Sequence, residues 1–431
     1  MSGDFSRFQF PTSGLYQTIL MQQGRVALDA DWNNLQSGQQ QHLQQQLVDL
    51  VGAAAGPKDA AGFALTPGSN AGLQIGAGRY YVAGILCSCD AAVAWARQPY
   101  LPVGSRLPLK AGSYIAYLDV WPRIVNAWQD PALGEVALGG ADTAVGLQQV
   151  WQLKLLPKAD PPPWSAPASP VMTAQVTNSS GLGNWLYRVE VHYGSGTANA
   201  ANGTFKWSRR NGAVTFGIQA WNDGAVTLAP AAAPLGTQLA VGDWVEFVDD
   251  DIVFGQTAVP LWQVAAIDAA RNTVTLSSAT GKAPAIHPDR HPMLQRWDQQ
   301  DGAGLVDGTI PIVPGSWLPL EDGITVQFPA AATQPAVAYG DFWTFTARAA
   351  TGGIDWPADA KGVPLPQPKQ GISHNYAQIA ALSLSGTAWT VDQDLRVLFG
   401  PLAGPGGNGL LEKLAQLEKR LAAAEKQFMG R

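Results

Sequence analysis

Two stretches decide the fold class: NWLYRVEVHY, residues 184–193, and TFKWSRRNGAVTF, residues 204–216. In the first, apolar and polar residues alternate, which is the period of a half-buried β-strand. In the second, Asn211 and Gly212 separate two further strand-like runs, and this dipeptide is the strongest short signal for a β-hairpin. This part of the chain therefore predicts antiparallel sheet.

Similar strand-like runs occur on both sides of this region, and they include GRYYVAGILC (78–87), SYIAYLDVWP (113–122), GDWVEFVDD (242–250) and DFWTFTARA (341–349). A strand about every ten residues, with Gly and Asp at the turns, favours small barrels or sandwiches over alternating βαβ units. We predict a mainly β fold of several small antiparallel barrel or sandwich regions. An N-terminal helix and a C-terminal coiled-coil helix complete it.

These patterns divide the chain into seven segments. They are an N-terminal arm with a Gln-rich helix for docking and assembly (1–55), a β domain (56–160), a Pro-rich linker (161–180), a barrel or sandwich domain (181–300), the second part of a β domain (301–399), a Gly-rich hinge (400–409) and a coiled-coil helix (410–431).

Composition excludes several classes of protein. Hydrophobic residues make up 46% of the 431, which is enough for a buried core, whereas charged residues make up only 14%. A net charge of −6 argues against a nucleic-acid binder, which needs a basic patch. Cys87 and Cys89 are separated by a single residue, which is too close for an unstrained disulfide. The first residues lack the basic and apolar stretches of a signal peptide, and no apolar run is long enough for a membrane span, so we expect cytoplasmic synthesis and assembly.

The C-terminal tail has the apolar spacing of a coiled coil. Its seam residues are spaced by four and three: Leu410, Leu414, Leu417, Leu421, Ala424 and Phe428. In a parallel arrangement the flanking residues pair opposite charges, namely Lys413 with Glu418 and Arg420 with Glu425. This pattern predicts a parallel homo-oligomer, for which a trimer is our working assignment. A single amphipathic helix docked on its own β domain is the alternative.

Recognisable catalytic motifs do not occur: no P-loop, GxSxG or HExxH is present, and we predict a protein that is not an enzyme and has no cofactor. His287, Asp289 and His291 form a weak metal-binding hypothesis, against which a hydrogen-bonded loop is the simpler interpretation. The 16 Trp residues serve mostly as core in strand patterns, and exposed ones would suit glycan binding.

The stretch MQQGRVALDADWN, residues 21–33, resembles the N-terminal signature of an uncharacterised bacterial family. Later blocks are similar to that family as well, among them LYRVEVHYG (186–194) and FKWSRRNGAV (205–214). Genes of the family often accompany those of phage-tail-like contractile injection systems. Within the signature, we expect Arg25 to bind Asp29 or Asp31, Trp32 to act as an apolar plug, and Asp31 or Asn33 to cap the following helix.

The signature is either an ordered junction within the chain or a docking element for another subunit. We assign assembly to eight of its residues: Gln22, Gln23, Gly24, Arg25, Asp29, Asp31, Trp32 and Asn33.

The resemblance implies a structural, non-enzymatic component of a contractile injection particle. We expect a homo-oligomer that presents β domains at the particle periphery and contacts baseplate, sheath or fibre subunits. Such a protein would leave the cell only as part of a released particle. The alternatives are a fibre-like protein that binds a cell-surface glycan or receptor, and a polysaccharide hydrolase with two distant carboxylates.

Overall fold

The fold was analysed in a computed structural model. It describes residues 2–7, 18–108, 110–165, 169–178, 181–198, 200–222, 224–230, 238–277, 283–300, 302, 304–330, 335–401 and 417–420. The prediction of a mainly β fold with several small antiparallel sheets and an N-terminal helix is confirmed.

The N-terminal helix, α1, spans Asp29–Val51. It is rich in Gln, a good helix former, and it begins before Asp31 and Asn33, the two residues predicted to cap it. It ends at Gly52, whose φ of 90° and N–H bond to the Val48 carbonyl close the last turn. Only Ala30 is buried, so the body of the protein covers little of this helix.

The described residues also form short strands, five single-turn 3-10 helices and a second α-helix, α2, at Asp250–Gly255. The first strands are β1 Ala54–Pro57, β2 Leu65–Pro67, β3 Leu73–Ile75, β4 Gly78–Val82, β5 Ile85–Cys89, β6 Val93–Ala94, β7 Gly112–Val125, β8 Gly134–Glu135, β9 Ala141–Asp142, β10 Gly146–Pro157, β11 Val171–Val176, β12 Leu186–Val191, β13 Thr204–Ser208 and β14 Thr215–Asn222. The later strands are β15 Ala225–Leu228, β16 Trp244–Val248, β17 Trp262–Asp268, β18 Thr273–Ser277, β19 Met293–Trp297, β20 Ile310–Pro311, β21 Trp317–Pro319, β22 Ile324–Gln327, β23 Phe342–Arg348, β24 Gly353–Ile354, β25 Gln367–Pro368, β26 Asn375–Ser385, β27 Ala388–Asp394 and β28 Leu398–Phe399. The 3-10 helices are Trp95–Arg97, Pro131–Leu133, Val136–Leu138, Pro163–Ser165 and Pro288–Arg290.

The first body combines the two ends of the β region. Its sheets are β28-β1-β4-β5, β10-β7-β26-β27 and β2-β3-β6, and they share one hydrophobic core. The long hairpin β7–β10 supplies one half of the largest sheet, and β26 pairs with β7 from the far end of the chain. Strand β28 lies parallel to β1, which brings the end of the β region back to its start.

The second body is a sandwich of two sheets, β21-β22-β11-β25 and β20-β13-β12-β23-β24. Tyr187, Val189 and Val191 of β12 point into its core, as the alternation predicts. The third body is a closed six-stranded barrel, β14-β15-β18-β17-β16-β19. The barrel is inserted in the sandwich, and the sandwich is inserted in the first body.

This nesting corrects the predicted domain boundaries. The segment 301–399 divides between two bodies, because its strands up to β25 complete the sandwich and those from β26 complete the first body. The segment 181–300 likewise contains the barrel and two sandwich strands. The linker 161–180 contains strand β11, whose Met172 and Ala174 are fully buried because the strand pairs with β22 and β25.

The predicted hairpin at Asn211 and Gly212 is also wrong. Both residues have the positive φ of a tight turn, 50° and 65°. However, β13 pairs with β12 and β20 in the sandwich, whereas β14 pairs with β15 and β19 in the barrel. The turn is therefore the crossing from one body to the next.

Helix α2 fastens the barrel to the first body. Phe254 is buried against Trp121 and Val150, and the Arg123 guanidinium lies 4.6 Å from the centre of its ring. The Gln152 side chain donates a 3.0 Å hydrogen bond to the Phe254 carbonyl.

We expect Phe254→Ala to destabilise this attachment by about 3–5 kcal/mol, because it removes a buried ring between two bodies. Urea unfolding followed by Trp fluorescence should show the barrel transition at lower urea. The control is Leu86→Ala, a strand residue that is 45% exposed. Equal shifts for both variants would contradict this role of Phe254.

Candidate functional site

The signature segment lies on the surface. Residues 22–29 are all exposed, and Gly24 forms a turn with a φ of 70°. Exposed apolar side chains surround this turn, with Leu20 at 81% and Val26 at 82% exposure. Such a cluster of exposed apolar residues is typical of an interaction surface.

The two acidic residues of the signature bind the N-terminal arm, residues 2–7. Asp29 accepts hydrogen bonds from the Ser6 backbone (2.9 Å) and hydroxyl (2.5 Å), and Asp31 forms a 3.4 Å ion pair with Arg7. The arm continues to the body, where Asp4 forms a 2.5 Å ion pair with Arg210. The start of α1 is thus tied to the turn between the sandwich and the barrel.

Three expectations for the signature are wrong. Arg25 forms no ion pair within the described part of the chain, because Ser6 and Arg7 occupy the two aspartates. Trp32 is 65% exposed and does not fill an apolar pocket, since none of the described residues covers that side of α1. Neither Asp31 nor Asn33 caps the helix, because α1 already begins at Asp29.

The predicted coiled coil falls mostly outside the described residues. This applies to Leu410, Lys413, Leu414, Leu421, Ala424, Glu425 and Phe428. Leu417, Glu418 and Arg420 belong to a described helical turn, 417–420, whose four residues are all exposed.

The weak metal hypothesis gains no support from the described residues. His291 lies 2.9 Å from Asp250, while His287 and Asp289 are exposed. In the part of the chain that the structure describes, no group of three or more His, Cys, Asp or Glu residues could hold a metal ion.

A buried charge cluster joins the sandwich to the barrel. Lys206, which is 1% exposed, lies 3.2 Å from Glu190 on the neighbouring strand and 2.5 Å from Glu246 on barrel strand β16. Arg188 forms a 2.5 Å ion pair with Glu190, and the Trp297 indole donates a 2.9 Å hydrogen bond to Glu246. Charges this deeply buried persist only when they are paired.

The two carboxyl groups of the cluster are in different electrostatic environments. Burial alone would raise the pKa of Glu190, but Arg188 and Lys206 outweigh it and lower the pKa to about 2. Burial raises the pKa of Glu246, and Lys206 offsets only part of that effect. Glu190 is therefore the permanent anion of the cluster.

His192 completes the cluster. Its Nε2 lies 2.8 Å from the Val259 carbonyl and must carry the proton, so Nδ1 is an unprotonated acceptor. Nδ1 lies 3.6 Å from Glu246 Oε1, and neither atom has a hydrogen-bond partner among the described residues. Burial and the nearby Lys206 hold the pKa of His192 well below 6.5.

A cavity of about 200 Å³ lies beside this cluster, where the three bodies meet. Its walls include Trp121 of the first body, Arg188 and Glu190 of the sandwich, and Glu246 of the barrel, with Gly3 of the arm. Arg188 and Glu190 pair with each other and Glu246 pairs with Lys206, so these charges connect the sandwich to the barrel beside the cavity.

Arg123 and His374, on the side of the first body, bind groups of the barrel segment. His291 and Arg123 bind the two oxygens of Asp250, at 2.9 and 2.6 Å. His374 bridges Asp119 (2.6 Å) and Gln256 (2.9 Å), which follows α2.

Sequence reasoning missed the buried cluster. Arg188, Glu190 and His192 alternate with core residues, a pattern that places them on the solvent face of an ordinary half-buried strand. The barrel covers that face, and the signal in the sequence is that three successive alternate positions carry charged or titratable side chains.

A family described as a family of unknown function, DUF6519, matches residues 1–163 and 160–388. The chain belongs to the DUF6519 family. No curated protein and no solved structure matches this DUF6519 chain. None of the described helices has the length and apolar character needed to cross a membrane.

Removing the buried lysine should destabilise this DUF6519 protein strongly. We expect Lys206→Met to cost about 3–5 kcal/mol, because Glu246 loses its charge partner in the interior. Adding Glu246→Gln should recover most of that loss. Urea unfolding measures both, and the control is Arg271→Met, which removes an exposed ion pair and should change stability little. A double variant no more stable than the single variant would contradict the pairing.

The depressed pKa of His192 predicts a pH dependence. Below about pH 6.5, His192 is protonated in the unfolded chain but stays neutral in the folded protein. The free energy of unfolding therefore decreases as the pH is lowered, by at most about 1.4 kcal/mol per pH unit. This loss continues until the pH reaches the lower folded-state pKa.

Urea unfolding at pH 7.5 and 5.5 should therefore separate the wild type from His192→Gln. The glutamine keeps a donor for the Val259 carbonyl but does not titrate. Other groups titrate in both proteins, so the difference in slope isolates His192, and equal slopes would refute the assignment.

Proposed function

We propose that this chain is a structural, non-enzymatic subunit of a phage-tail-like contractile injection particle. It assembles as a homo-oligomer and presents its β bodies at the particle periphery. Its partners are further copies of itself and other particle subunits of the baseplate, sheath or fibre.

The exposure of α1 carries this proposal. The helix has 23 residues, of which only Ala30 is buried, yet it displays Trp32, Leu43 and Leu50 to solvent. Helical stability in proteins comes mainly from packing of an apolar face, and this helix packs little against the described residues of its own chain. A partner that covers the exposed side of α1 supplies the apolar packing that stabilises a helix.

Two further observations support the same function. The exposed apolar residues continue into the signature segment, with Leu20, Met21 and Val26, so the surface is longer than the helix. The signature also resembles that of a family encoded beside contractile injection systems. Multivalent attachment through a repeated weak site needs no catalytic chemistry.

A second candidate function is recognition of a glycan or receptor, as in a tail fibre. An open cleft of about 340 Å³ is lined by Arg209, Arg296, Asp243 and Asp298. These planar charged groups of both signs can donate and accept hydrogen bonds with a hydroxyl-rich ligand. Outside the cleft, Trp185 is 41% exposed and offers an aromatic face on which a sugar ring could stack. Glycan binding lost on Arg296→Ala and retained on Arg271→Ala would favour this function.

The particle assignment is tested in cells that produce the particles. An epitope inserted between Gly139 and Gly140, in an exposed turn of the β8–β9 hairpin, leaves the core untouched. We expect the tag in purified particles at a fixed copy number, with antibody label at their periphery by electron microscopy. Particles without the tagged chain would refute the assignment.

Self-association is tested on the purified full chain by light scattering after size-exclusion chromatography. We expect a mass that is two or more times that of the 45.5 kDa chain, as a whole-number multiple. A monomer at all accessible concentrations would remove the homo-oligomer from the proposal.

A further inference from the structure

We propose that α1 is the element through which copies pair, with their helices parallel and in register. The pairing surface is a set of six exposed residues, here named the outward stripe: Trp32, Gln36, Gln39, Leu43, Gln46 and Leu50. This inference rests on the proposed self-association and specifies its partner, surface and orientation.

The spacing of the outward stripe is that of a coiled-coil seam. Successive members are separated by four, three, four, three and four residues, which places them along one side of the helix. Trp32, Leu43 and Leu50 are 65%, 57% and 60% exposed. At 1.5 Å per residue the helix is about 34 Å long, so the stripe provides six contact levels.

The body of the protein lies on the other side of α1. Ala30, Ser37, Gln44 and Val48 face away from the stripe and are at least partly buried. The body approaches α1 closely at Gly84, where an added Cβ would lie 2.3 Å from the Gln44 carbonyl oxygen. Within the part of the chain that the structure describes, a second helix can therefore reach the stripe without displacing the contacts of α1.

The composition of the stripe favours an identical partner. It contains no charged residue, so two copies do not repel each other there. Each glutamine amide both donates and accepts hydrogen bonds, so equivalent glutamines at one level can satisfy each other.

The order of the residues decides the orientation. In a parallel, in-register pair, every glutamine meets a glutamine, and Leu43 meets Leu43. An antiparallel pair centred on residue 41 would oppose Gln39 to Leu43, leaving a buried amide without a partner. Polar residues inside a coiled-coil seam are a known means of fixing register.

Cysteine cross-linking on the full chain tests the orientation. Gln39→Cys places equivalent sulfurs at one level of the proposed seam, whereas the control Gln41→Cys lies on the other side of the helix and is exposed. The native Cys87 and Cys89 are buried and contribute no background. We expect oxidation to link Gln39→Cys copies covalently and to leave Gln41→Cys copies unlinked.

A charge in the seam tests the surface. We expect Leu43→Asp to raise the dissociation constant at least about 100-fold, because it buries like charges at one level. Gln41→Asp should leave it unchanged. Because Leu43 is exposed on α1 and lies outside the three β bodies, both variants should keep the wild-type β-sheet signal in far-ultraviolet circular dichroism.

The outcomes separate this inference from the proposed function. An oligomer that neither cross-links through Gln39→Cys nor responds to Leu43→Asp would overturn α1 pairing but leave self-association standing. Cross-linking only between Gln39→Cys and Leu43→Cys chains would overturn the parallel orientation. A monomeric wild type would overturn both proposals.

Discussion

Lys206 is the residue on which the union of the sandwich and the barrel depends. Its ammonium group is fully buried between Glu190 of the sandwich and Glu246 of the barrel, and it is within 4.4 Å of the centre of the Trp297 ring. A buried charge tolerates little displacement, because away from its partners the attraction no longer offsets the free energy needed to remove the charge from water. The two bodies are therefore held at one distance and one orientation, which flexible connections alone would not achieve.

The nested insertion explains why such contacts are needed. The chain passes from the first body into the sandwich and from the sandwich into the barrel, and it then returns through the sandwich to the first body. Each body is therefore joined to the next by two chain crossings. Interfaces between domains of one chain permit relative motion unless they are large or specifically bonded. Three sets of contacts supply that bonding between the first body and the barrel. They are Phe254 with its apolar neighbours, Asp250 between Arg123 and His291, and His374 between Asp119 and Gln256.

The sequence predicted local structure better than it predicted which elements meet. Alternation along 184–193 puts Tyr187, Val189 and Val191 in a core, as the structure shows, but it would leave Arg188 and Glu190 facing solvent, because the barrel that covers them is a later insertion in the chain. Asn211 and Gly212 adopt the turn that their types favour, although the strands they connect join different sheets. Trp32 was expected to be buried because large aromatic residues usually are, and only the three-dimensional position of α1 reveals that nothing in the described chain covers it.

If copies pair through α1, the exposed helix and the rigid arrangement of the three bodies act together to set the geometry of the assembly. The helix is fixed at both ends: Asp29 and Asp31 bind the arm, which Asp4 ties to Arg210, while Gly52 leads directly into β1. Any partner that fixes the axis of α1 therefore also sets the direction in which the three bodies extend. Since the ion pairs keep those bodies in one arrangement, a parallel bundle of helices would display identical surfaces around its axis. In that arrangement, the weak pairing of a Gln-rich stripe is strengthened by repetition, and the geometry of the copies determines what the assembly can bind.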